Sequence, residues 1–191
     1  MSPLRVIAGE AKGRHLKLVP GDSTRPVTDR VKEALFNILG GLVLDSQVLD
    51  LFAGTGSVGI EALSRGASRA VFVDNNGVAV KTINENLKLT GLSPRAKVIK
   101  GDAFDFIKRS TEAGFDLVYV APPQYKGVWL RALQTLDRSP ACLNLDAWVI
   151  AQIDPVEWEE VELENLQPFD RRTYGSTELI FFEYARPDLI A

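Results

Sequence analysis

The sequence predicts an α/β fold, in which helices cover both faces of a mostly parallel β-sheet. Three observations support this prediction. Segments typical of strands and of helices alternate from residue 47 to residue 152. Several of the strand segments are continuous apolar runs, which is the pattern of parallel strands buried on both faces. The chain has 191 residues, of which 46% are hydrophobic and 25% charged, so it is large enough to bury the core of one domain.

The first predicted elements precede this alternation. Residues 4–19, "LRVIAGEAKGRHLKLV", have the composition of two short strands around a turn rich in Gly and Lys, and an irregular stretch follows. Thr28 can then cap a helix that Gly40-Gly41 ends. Its apolar residues fall on one face: Val31, Ala34, Leu35, Ile38 and Leu39. We expect residues 1–27 to form an N-terminal hairpin or arm of a single domain that spans residues 1–191.

The alternating part of the chain predicts most of the sheet and its helices. Strands are predicted at 47–52, 70–73, 97–100, 115–120, 147–152 and 177–184. Helices are predicted near 57–66, 76–90, 103–110 and 127–137. After residue 152 the alternation weakens. The acidic stretch "EWEEVELENL" and the final "STELIFFEYA" are expected to add antiparallel structure to the sheet, although the acidic stretch is most simply a solvent-exposed face.

Composition excludes several classes of protein. The single cysteine, Cys142, permits no internal disulfide, and the single histidine, His15, leaves no plausible Cys/His metal site and no Ser-His-Asp triad. No metal is therefore expected. No apolar run approaches the roughly 20 residues that a membrane span needs, and the N-terminus lacks the apolar stretch of a signal peptide. The sequence thus predicts a soluble, cytoplasmic protein without a membrane partner.

The net charge of -3 is unevenly distributed. Residues 1–35 hold seven basic and four acidic residues, whereas the remainder holds 15 basic and 21 acidic residues. A basic arm on an acidic body suits a local contact with phosphate groups better than a general affinity for polyanions. A solvent-exposed hairpin with no partner explains the same charges equally well.

The strongest local signal is "VLDLFAGTGSVGIEAL", residues 48–63. A hydrophobic strand ends near Asp50, and the glycines Gly54, Gly56 and Gly59 form a G-x-G-x-x-G turn into a helix, which lets the backbone approach a ligand closely. The next strand ends in Asp74, which is placed to accept hydrogen bonds from ribose hydroxyls. The pattern predicts an adenine nucleoside at the carboxyl ends of the strands.

Two cofactors, NAD and S-adenosylmethionine (AdoMet), are compatible with the glycine pattern, and three features favour AdoMet. The carboxylate of Asp50 can receive the amino group of a methionine moiety, and Asp102 after the third strand can accept a hydrogen bond from the adenine amine. The chain is also too short for the separate substrate domain that a dehydrogenase usually carries. The alternatives are that Asp50 merely caps the following turn, and that the protein is an NAD-dependent oxidoreductase.

A second signal is "VYVAPPQY", residues 118–125, where a β-branched strand stops at two prolines with an aromatic residue close behind. This is typical of a buried strand that ends at a rigid loop facing a ligand. The simpler alternative is that the prolines only terminate the strand and that Tyr125 belongs to the core.

Together these motifs resemble the RsmD-like family of bacterial 16S ribosomal RNA guanine-N2 methyltransferases, nearly from end to end. The resemblance rests on "RVIAGEAKGRHL", "TRPVTDRVKEALFNIL", "VLDLFAGTGSVGIEALSRGA", "FDLVYVAPPQY" and "RRTYGSTELIFFEY". The second of these is the most specific, because a generic methyltransferase has no reason to carry it. The resemblance implies a seven-stranded Rossmann-like sheet with an antiparallel last strand, AdoMet as cofactor with S-adenosylhomocysteine as product, and a guanine in small-subunit rRNA as target.

The family resemblance also implies roles for individual residues. It assigns cofactor binding to Asp50, Phe52, Ala53, Gly54, Thr55, Gly56, Gly59, Asp74, Asn75, Asp102, Ala103 and Ala121. It assigns catalysis to Pro122, Pro123 and Tyr125, with the Pro122 carbonyl accepting an amine hydrogen and Tyr125 stacking on the extruded base. Gln124 is a further catalytic candidate, because its amide oxygen can serve as a neutral acceptor. From the distribution of basic residues we expect RNA contacts at Arg5, Lys12, Arg14, Arg25, Arg30, Arg171 and Arg172, although Arg171 and Arg172 are equally consistent with a turn that has no function.

The family's loop reads Asp-Pro-Pro followed by Tyr or Phe, and this sequence departs from it twice. Ala121 stands where the family has Asp, and Gln124 is inserted before the aromatic residue. An alanine side chain has no acceptor, and the neutral amide of Gln124 would replace a charge-assisted hydrogen bond about twice as strong. Two hypotheses follow: a monomeric enzyme acting on 16S rRNA or a small-subunit assembly particle, or an RNA-binding assembly factor that keeps the AdoMet pocket without turnover.

Overall fold

The fold is described from a computed structural model, over residues 4–21, 27–109 and 111–185. These residues form a single seven-stranded sheet with the strand order β3-β2-β1-β4-β5-β7-β6. The strands are β1 (Gln47–Leu51), β2 (Arg69–Asp74), β3 (Ala96–Lys100), β4 (Phe115–Val120), β5 (Leu143–Ile153), β6 (Leu166–Tyr174) and β7 (Thr177–Tyr184). Strands β1 to β5 are parallel, and β7 runs antiparallel to both of its neighbours, β5 and β6. The predicted Rossmann-like sheet with an antiparallel last strand is confirmed.

Helices cover both faces of this sheet. They are α1 (Asp29–Leu39), α2 (Ser57–Ser64), α3 (Gly77–Thr90), α4 (Ala103–Arg109) and α5 (Val128–Arg138). The first three pack on one face and the last two on the other. Each of the two groups of helices forms one apolar core with the strands. The predicted cap is present, because the hydroxyl oxygen of Thr28 accepts a hydrogen bond from the Val31 amide at 3.4 Å. No helix in the described part of the chain is long and apolar enough to span a bilayer.

Strand β6 is the main correction to the predicted elements. The acidic stretch 157–166 was expected to contribute antiparallel structure, but residues 158–165 are irregular and the strand begins only at Leu166. Arg171 and Arg172, predicted to lie in a turn, are inside the strand. Strand β6 lacks the pattern by which strands are predicted, because it contains Pro168 and mostly exposed polar residues. Edge strands such as β6 tolerate proline and exposed polar residues. Strand β5 also begins earlier than predicted, at Leu143.

The N-terminal arm, residues 4–19, is less regular than the predicted hairpin. Its two halves pair through a single antiparallel bridge, between Arg5 and His15. The amides of Ile7 and Ala8 donate to the carboxylate of Glu61 in α2, at 2.8 and 2.9 Å. Because this side chain takes the hydrogen bonds that a partner strand would otherwise accept, the arm docks on α2 instead of extending as a ladder.

Glu61 holds the arm as part of a buried ion pair. Its carboxylate lies 3.5 Å from the ammonium group of Lys32 in α1, and both side chains are fully buried. Lys32 also donates to the Arg5 carbonyl at 2.5 Å. Burial lowers the pKa of Lys32, while the neighbouring charge of Glu61 opposes that change. The ion pair therefore joins α1, α2 and the arm at one point.

A second contact joins the arm to the loop that follows β1. The Asn86 side-chain oxygen accepts from the Lys17 amide at 2.7 Å, and its NH₂ group donates to the Lys17 carbonyl at 3.1 Å. The same NH₂ group donates to the Thr55 carbonyl at 2.9 Å. The buried Asn86 thus fixes the arm and the glycine loop relative to each other.

Candidate functional site

The glycine loop lies at the carboxyl ends of the parallel strands, between β1 and α2. Phe52, Gly54 and Gly56 all have positive φ, at 60°, 57° and 74°, so the chain reverses sharply before the helix begins. Gly59 serves packing instead. A Cβ there would lie 2.3 Å from Cε1 of the buried Phe72 ring, so glycine lets α2 approach β2 closely.

Asp50 lies beneath this loop, at the centre of the sheet. Only 2% of it is exposed, and its carboxylate accepts a hydrogen bond from the Gly59 amide at 3.0 Å. Burial raises the pKa of Asp50 to about 8, and the charge of Asp74 adds to this rise while the Gly59 amide opposes it. The hydrogen bond shows that Asp50 does cap the following turn. A buried acid with a raised pKa is also the kind of group found at ligand sites.

Asp74 ends β2 and holds the same loop from the other side. One of its carboxylate oxygens accepts from the Gly54 amide at 2.8 Å, and the other accepts from the Asn76 amide at 2.8 Å. The side chain is partly exposed, and Asn75 beside it is exposed. The structure therefore places Asp74 next to the glycines, as the spacing predicted, and gives it a structural task as well.

Asp102 is exposed at the start of α4, and one of its oxygens accepts from the amides of Phe104 and Asp105, at 2.9 and 3.0 Å. It therefore caps this helix. Ala103, the first helical residue, is buried. Asp50 in β1, Asp74 at the end of β2 and Asp102 after β3 are thus three acidic side chains near the carboxyl ends of adjacent strands. That Asp102 accepts a hydrogen bond from the adenine amine stays a prediction.

The proline loop follows β4, the strand next to β1, so it lies at the same edge as the glycine loop. Pro122 is buried, and Ala121 is partly buried against the core that contains α1. Pro123 is exposed and Gln124 is half-buried. Tyr125 is 66% exposed, so the alternative that it belongs to the core is wrong.

Tyr125 is held by two carboxylates that the sequence did not indicate. Its amide donates to Glu157 at 2.6 Å, and its hydroxyl donates to Asp154 at 2.7 Å. Asp154 and Glu157 flank a short 3-10 turn, Pro155–Glu157, directly after β5. The signal that could have found them is the capping-box spacing of an Asp with a Glu three residues later.

Gln152 is a further residue of this edge that the sequence did not single out. It accepts a hydrogen bond from the hydroxyl of the buried Tyr119. Burial raises the pKa of Tyr119, and the charge of Asp50, its register partner on β1, adds to the rise. Val120 pairs with Ala151, so Gln152 is the register neighbour of Ala121 and lies beside the proline loop.

The predicted RNA-contact residues of the arm and of α1 are dispersed. Arg5 pairs with Asp29 at 3.0 Å. Three others are exposed and form no ion pair with another described residue: Lys12, Arg14 and Arg30. Arg25 lies outside the described residues.

Lys12 in particular is remote from the glycine loop. It follows Ala11, whose amide donates to Ser64 at the far end of α2. That helix has 8 residues. At 1.5 Å per residue, α2 separates Ser64 from the glycine loop by about 12 Å, so Lys12 lies near the opposite end of this helix.

The two arginines of β6 are engaged within the protein. Arg171 lies 2.7 Å from the buried Glu178 of β7, and its guanidinium group lies 4.4 Å from the centroid of the Trp158 ring. Arg172 pairs with Asp170 at 3.0 Å. Among the described residues, no cluster of three or more His, Cys, Asp or Glu side chains is arranged to hold a metal ion.

The sequence of the chain is similar to that of a known protein family and to named relatives. The profile of the family described as "Conserved hypothetical protein 95" matches residues 4–183. The "Putative rRNA methyltransferase YlbH" of Bacillus subtilis is 41% identical over 186 residues, which cover 94% of this chain and 98% of the relative. The "Ribosomal RNA small subunit methyltransferase D" of Haemophilus influenzae is 38% identical over 135 residues, 70% of each chain.

Comparisons of structure agree with those of sequence. The "Putative methyltransferase yhhF" of Escherichia coli superposes with a TM-score of 0.82 at 29% identity, and the match covers 96% of this chain and 99% of the other. An RNA methyltransferase from Salinibacter ruber, solved with S-adenosyl-L-homocysteine, has the same fold with a TM-score of 0.66 at 16% identity. That match covers 85% of this chain and 95% of the other.

Proposed function

The chain belongs to the family described as "Conserved hypothetical protein 95", and from this membership we propose that it is an AdoMet-dependent methyltransferase of small-subunit rRNA. Its target is the exocyclic N2 of a guanine. The relatives named as rRNA methyltransferases support this assignment. One observation carries it: the glycine loop with Asp50 and the proline loop with its exposed Tyr125 follow adjacent strands at one edge of the sheet.

The residues of the glycine loop fit the proposed cofactor. Asp50 offers a buried carboxyl group to the amino group of the methionine moiety, and the glycines at positions 54 and 56, with positive φ, let the backbone approach a ligand closely. Asp74 lies within reach of ribose hydroxyls, and Asp102 marks the end where the adenine binds. When bound, AdoMet supplies the electrophilic methyl group, and S-adenosylhomocysteine is the product.

The proline loop would hold and activate the guanine. The N2 amine is a poor nucleophile, because its lone pair is delocalised into the ring, so the protein must position it and stabilise the rehybridised nitrogen. The Pro122 carbonyl and the Gln124 amide oxygen accept amine hydrogens, while the exposed ring of Tyr125 stacks on the extruded base. The exposed Arg14 and Arg30 contact RNA phosphates. The substrate is rRNA or a small-subunit particle, met in the cytoplasm by a monomer.

A second function is favoured by one observation, the methyl side chain of Ala121. If the missing acceptor abolishes turnover, the protein is an assembly factor that binds RNA and AdoMet without methylating. Ala121→Asp would then create activity. A loss of an existing activity in that variant would contradict this second function.

The deciding experiment is methyl transfer by the purified protein. We expect labelled methyl from AdoMet to appear in unmethylated 16S rRNA or in partly assembled subunits, as N2-methylguanosine identified by mass spectrometry. We expect rRNA from cells without the gene to lack one such nucleotide. Normal AdoMet binding with no transfer to either substrate would refute the proposed methylation.

A further inference from the structure

Tyr125, the residue proposed to stack on the base, lies in an exposed and strained part of its loop. Tyr125 has a φ of 63°, a backbone conformation that residues other than glycine rarely adopt, and its ring is largely exposed. Of its neighbours in the chain, Gln124 is half-buried and Lys126 is exposed. An aromatic side chain in such a position needs contacts from elsewhere to keep one orientation.

Two carboxylates supply these contacts, at opposite ends of Tyr125. Glu157 accepts a hydrogen bond from the backbone amide at 2.6 Å, which fixes the position of the Tyr125 backbone. Asp154 accepts a hydrogen bond from the phenolic hydroxyl at 2.7 Å, which fixes the position of the outer end of the ring. Hydrogen bonds to ionised acceptors are stronger than those between neutral groups, so both contacts are effective anchors.

The two carboxylates are themselves ordered by a reciprocal cap. The second oxygen of Asp154 accepts from the Val156 amide at 3.1 Å. The second oxygen of Glu157 accepts from the Asp154 amide at 3.4 Å. Each carboxylate therefore uses one oxygen to fix the 3-10 turn and the other to hold Tyr125. Asp154 is also only 9% exposed, which limits its freedom further.

The turn is anchored to the body of the domain by the next residue, Trp158. Its ring stacks on Trp129 of α5, with 6.0 Å between centroids and 25° between planes. The Arg171 guanidinium group, which the buried Glu178 holds in place, also lies over the Trp158 ring. The position of Tyr125 thus depends on α5, β6 and β7 as well as on the proline loop.

We propose that Asp154 and Glu157 are positioning residues of the methyltransferase site, which orient the Tyr125 ring for stacking on the target base. This inference rests on the proposed function. We call the two carboxylates of Asp154 and Glu157, with the hydrogen bonds that they accept from Tyr125, the clamp. On this inference Arg171 supports the clamp and does not contact RNA. It also explains how the loop accommodates the inserted Gln124: the aromatic residue stands one position late, and the turn after β5 fixes it there.

The first test is a double-mutant cycle between Tyr125→Phe and Asp154→Ala. Tyr125→Phe keeps the stacking ring and the cap, and removes only the hydroxyl. We expect each single variant to lower kcat/KM for rRNA by about 3- to 10-fold, with AdoMet affinity unchanged. The double variant should lose no more than Asp154→Ala alone, because the hydrogen bond that Tyr125→Phe removes is already absent in Asp154→Ala. Additive losses, or an unchanged kcat/KM in Tyr125→Phe, would overturn the inference.

The matched control is Glu160→Gln, which removes one exposed carboxylate from the same segment. We expect it to retain the kcat/KM of the parent protein. A loss equal to that of Asp154→Ala would assign the effect to the charge of the segment and overturn the inference.

A second readout needs no RNA, so it separates this inference from the proposed function. With 3-fluorotyrosine incorporated, the four tyrosines give ¹⁹F NMR resonances, and Tyr125→Phe identifies that of Tyr125. Asp154→Ala should move this resonance towards its position in the unfolded protein, and Glu160→Gln should not. A resonance that stays in place in Asp154→Ala overturns the clamp. If the resonance moves but the parent protein methylates nothing, the clamp stands and the methyltransferase function fails.

Discussion

Replacing Asp50 by asparagine should stabilise the protein without ligand while weakening its binding of AdoMet. Asparagine has nearly the same shape, and its side-chain oxygen can still accept the hydrogen bond from the Gly59 amide. It carries no charge to desolvate and none to offer to an amino group. The substitution therefore separates what Asp50 costs the fold from what it contributes to the site.

The magnitude follows from the raised pKa of Asp50. This pKa is about 8 in the folded protein, against 3.8 for an ordinary aspartate. At pH 7 the unfolded chain has an ionised Asp50 that must take up a proton on folding. With 1.36 kcal/mol per pKa unit, this uptake costs about 4 kcal/mol as an upper value. Asparagine avoids this cost, and even half of it would raise Tm by about 4 to 8 °C in a chain of this size.

The sign of the pH dependence makes the prediction specific. Between pH 4 and pH 8 the folded state binds more protons at Asp50 than the unfolded state does, so the contribution of this group to stability falls as pH rises. The asparagine variant lacks that slope. We expect equal stability at pH 4 and a growing advantage of the variant up to pH 8.

Thermal unfolding at a series of pH values measures this difference, and calorimetry with AdoMet measures the loss of binding. Asp102→Asn is the matched control, because it changes an exposed acid at the same edge to a residue that also caps helices. We expect no pH-dependent advantage for the control. A lower Tm of Asp50→Asn at pH 8, or an advantage independent of pH, would refute the reasoning.

Two further predictions concern the packing around the site. Lys32→Met removes the cation of a buried ion pair, so the carboxylate of Glu61 loses this partner and the free energy of unfolding should fall by about 3 kcal/mol or more. Denaturant titrations measure this loss, and an unchanged unfolding midpoint would contradict it. Gly59→Ala places a methyl group against the ring of Phe72 and should cost about 1 to 3 kcal/mol. Gly41→Ala, where a Cβ meets no atom within 4 Å, should cost less, and equal losses would contradict the packing argument.

The sequence predicted the elements that local patterns determine. Strands β1 to β5 and β7 were predicted from the apolar residues that they contain, and α1 begins directly after the residue chosen as its cap, Thr28. Strand β6 was not predicted because most of its residues are exposed, so it has no apolar pattern. The arm was predicted as two strands because its composition is typical of them. No local pattern could show that Glu61, more than 50 residues away, takes its amides.

The candidate site divides in the same way. Asp50, Asp74 and the glycines were found because the spacing along one strand-turn-helix unit fixes their positions. The residues around Tyr125 were not, because Asp154 approaches it only through the pairing of β4 with β5. The same holds for Gln152 beside Ala121. Contacts that depend on which strands are neighbours cannot be derived from spacing along the chain.

The irregular edge strand has a consequence for behaviour in concentrated solution. An open sheet edge presents unpaired backbone groups that can recruit a strand of another molecule, the first step of edge-to-edge aggregation. In β6 the proline at 168 supplies no donor, and the register slips between Pro168 and Asp170. The opposite edge, β3, places the charged Lys97 and Lys100 at its surface. Both borders of the sheet thus discourage a second copy from continuing it through strand pairing.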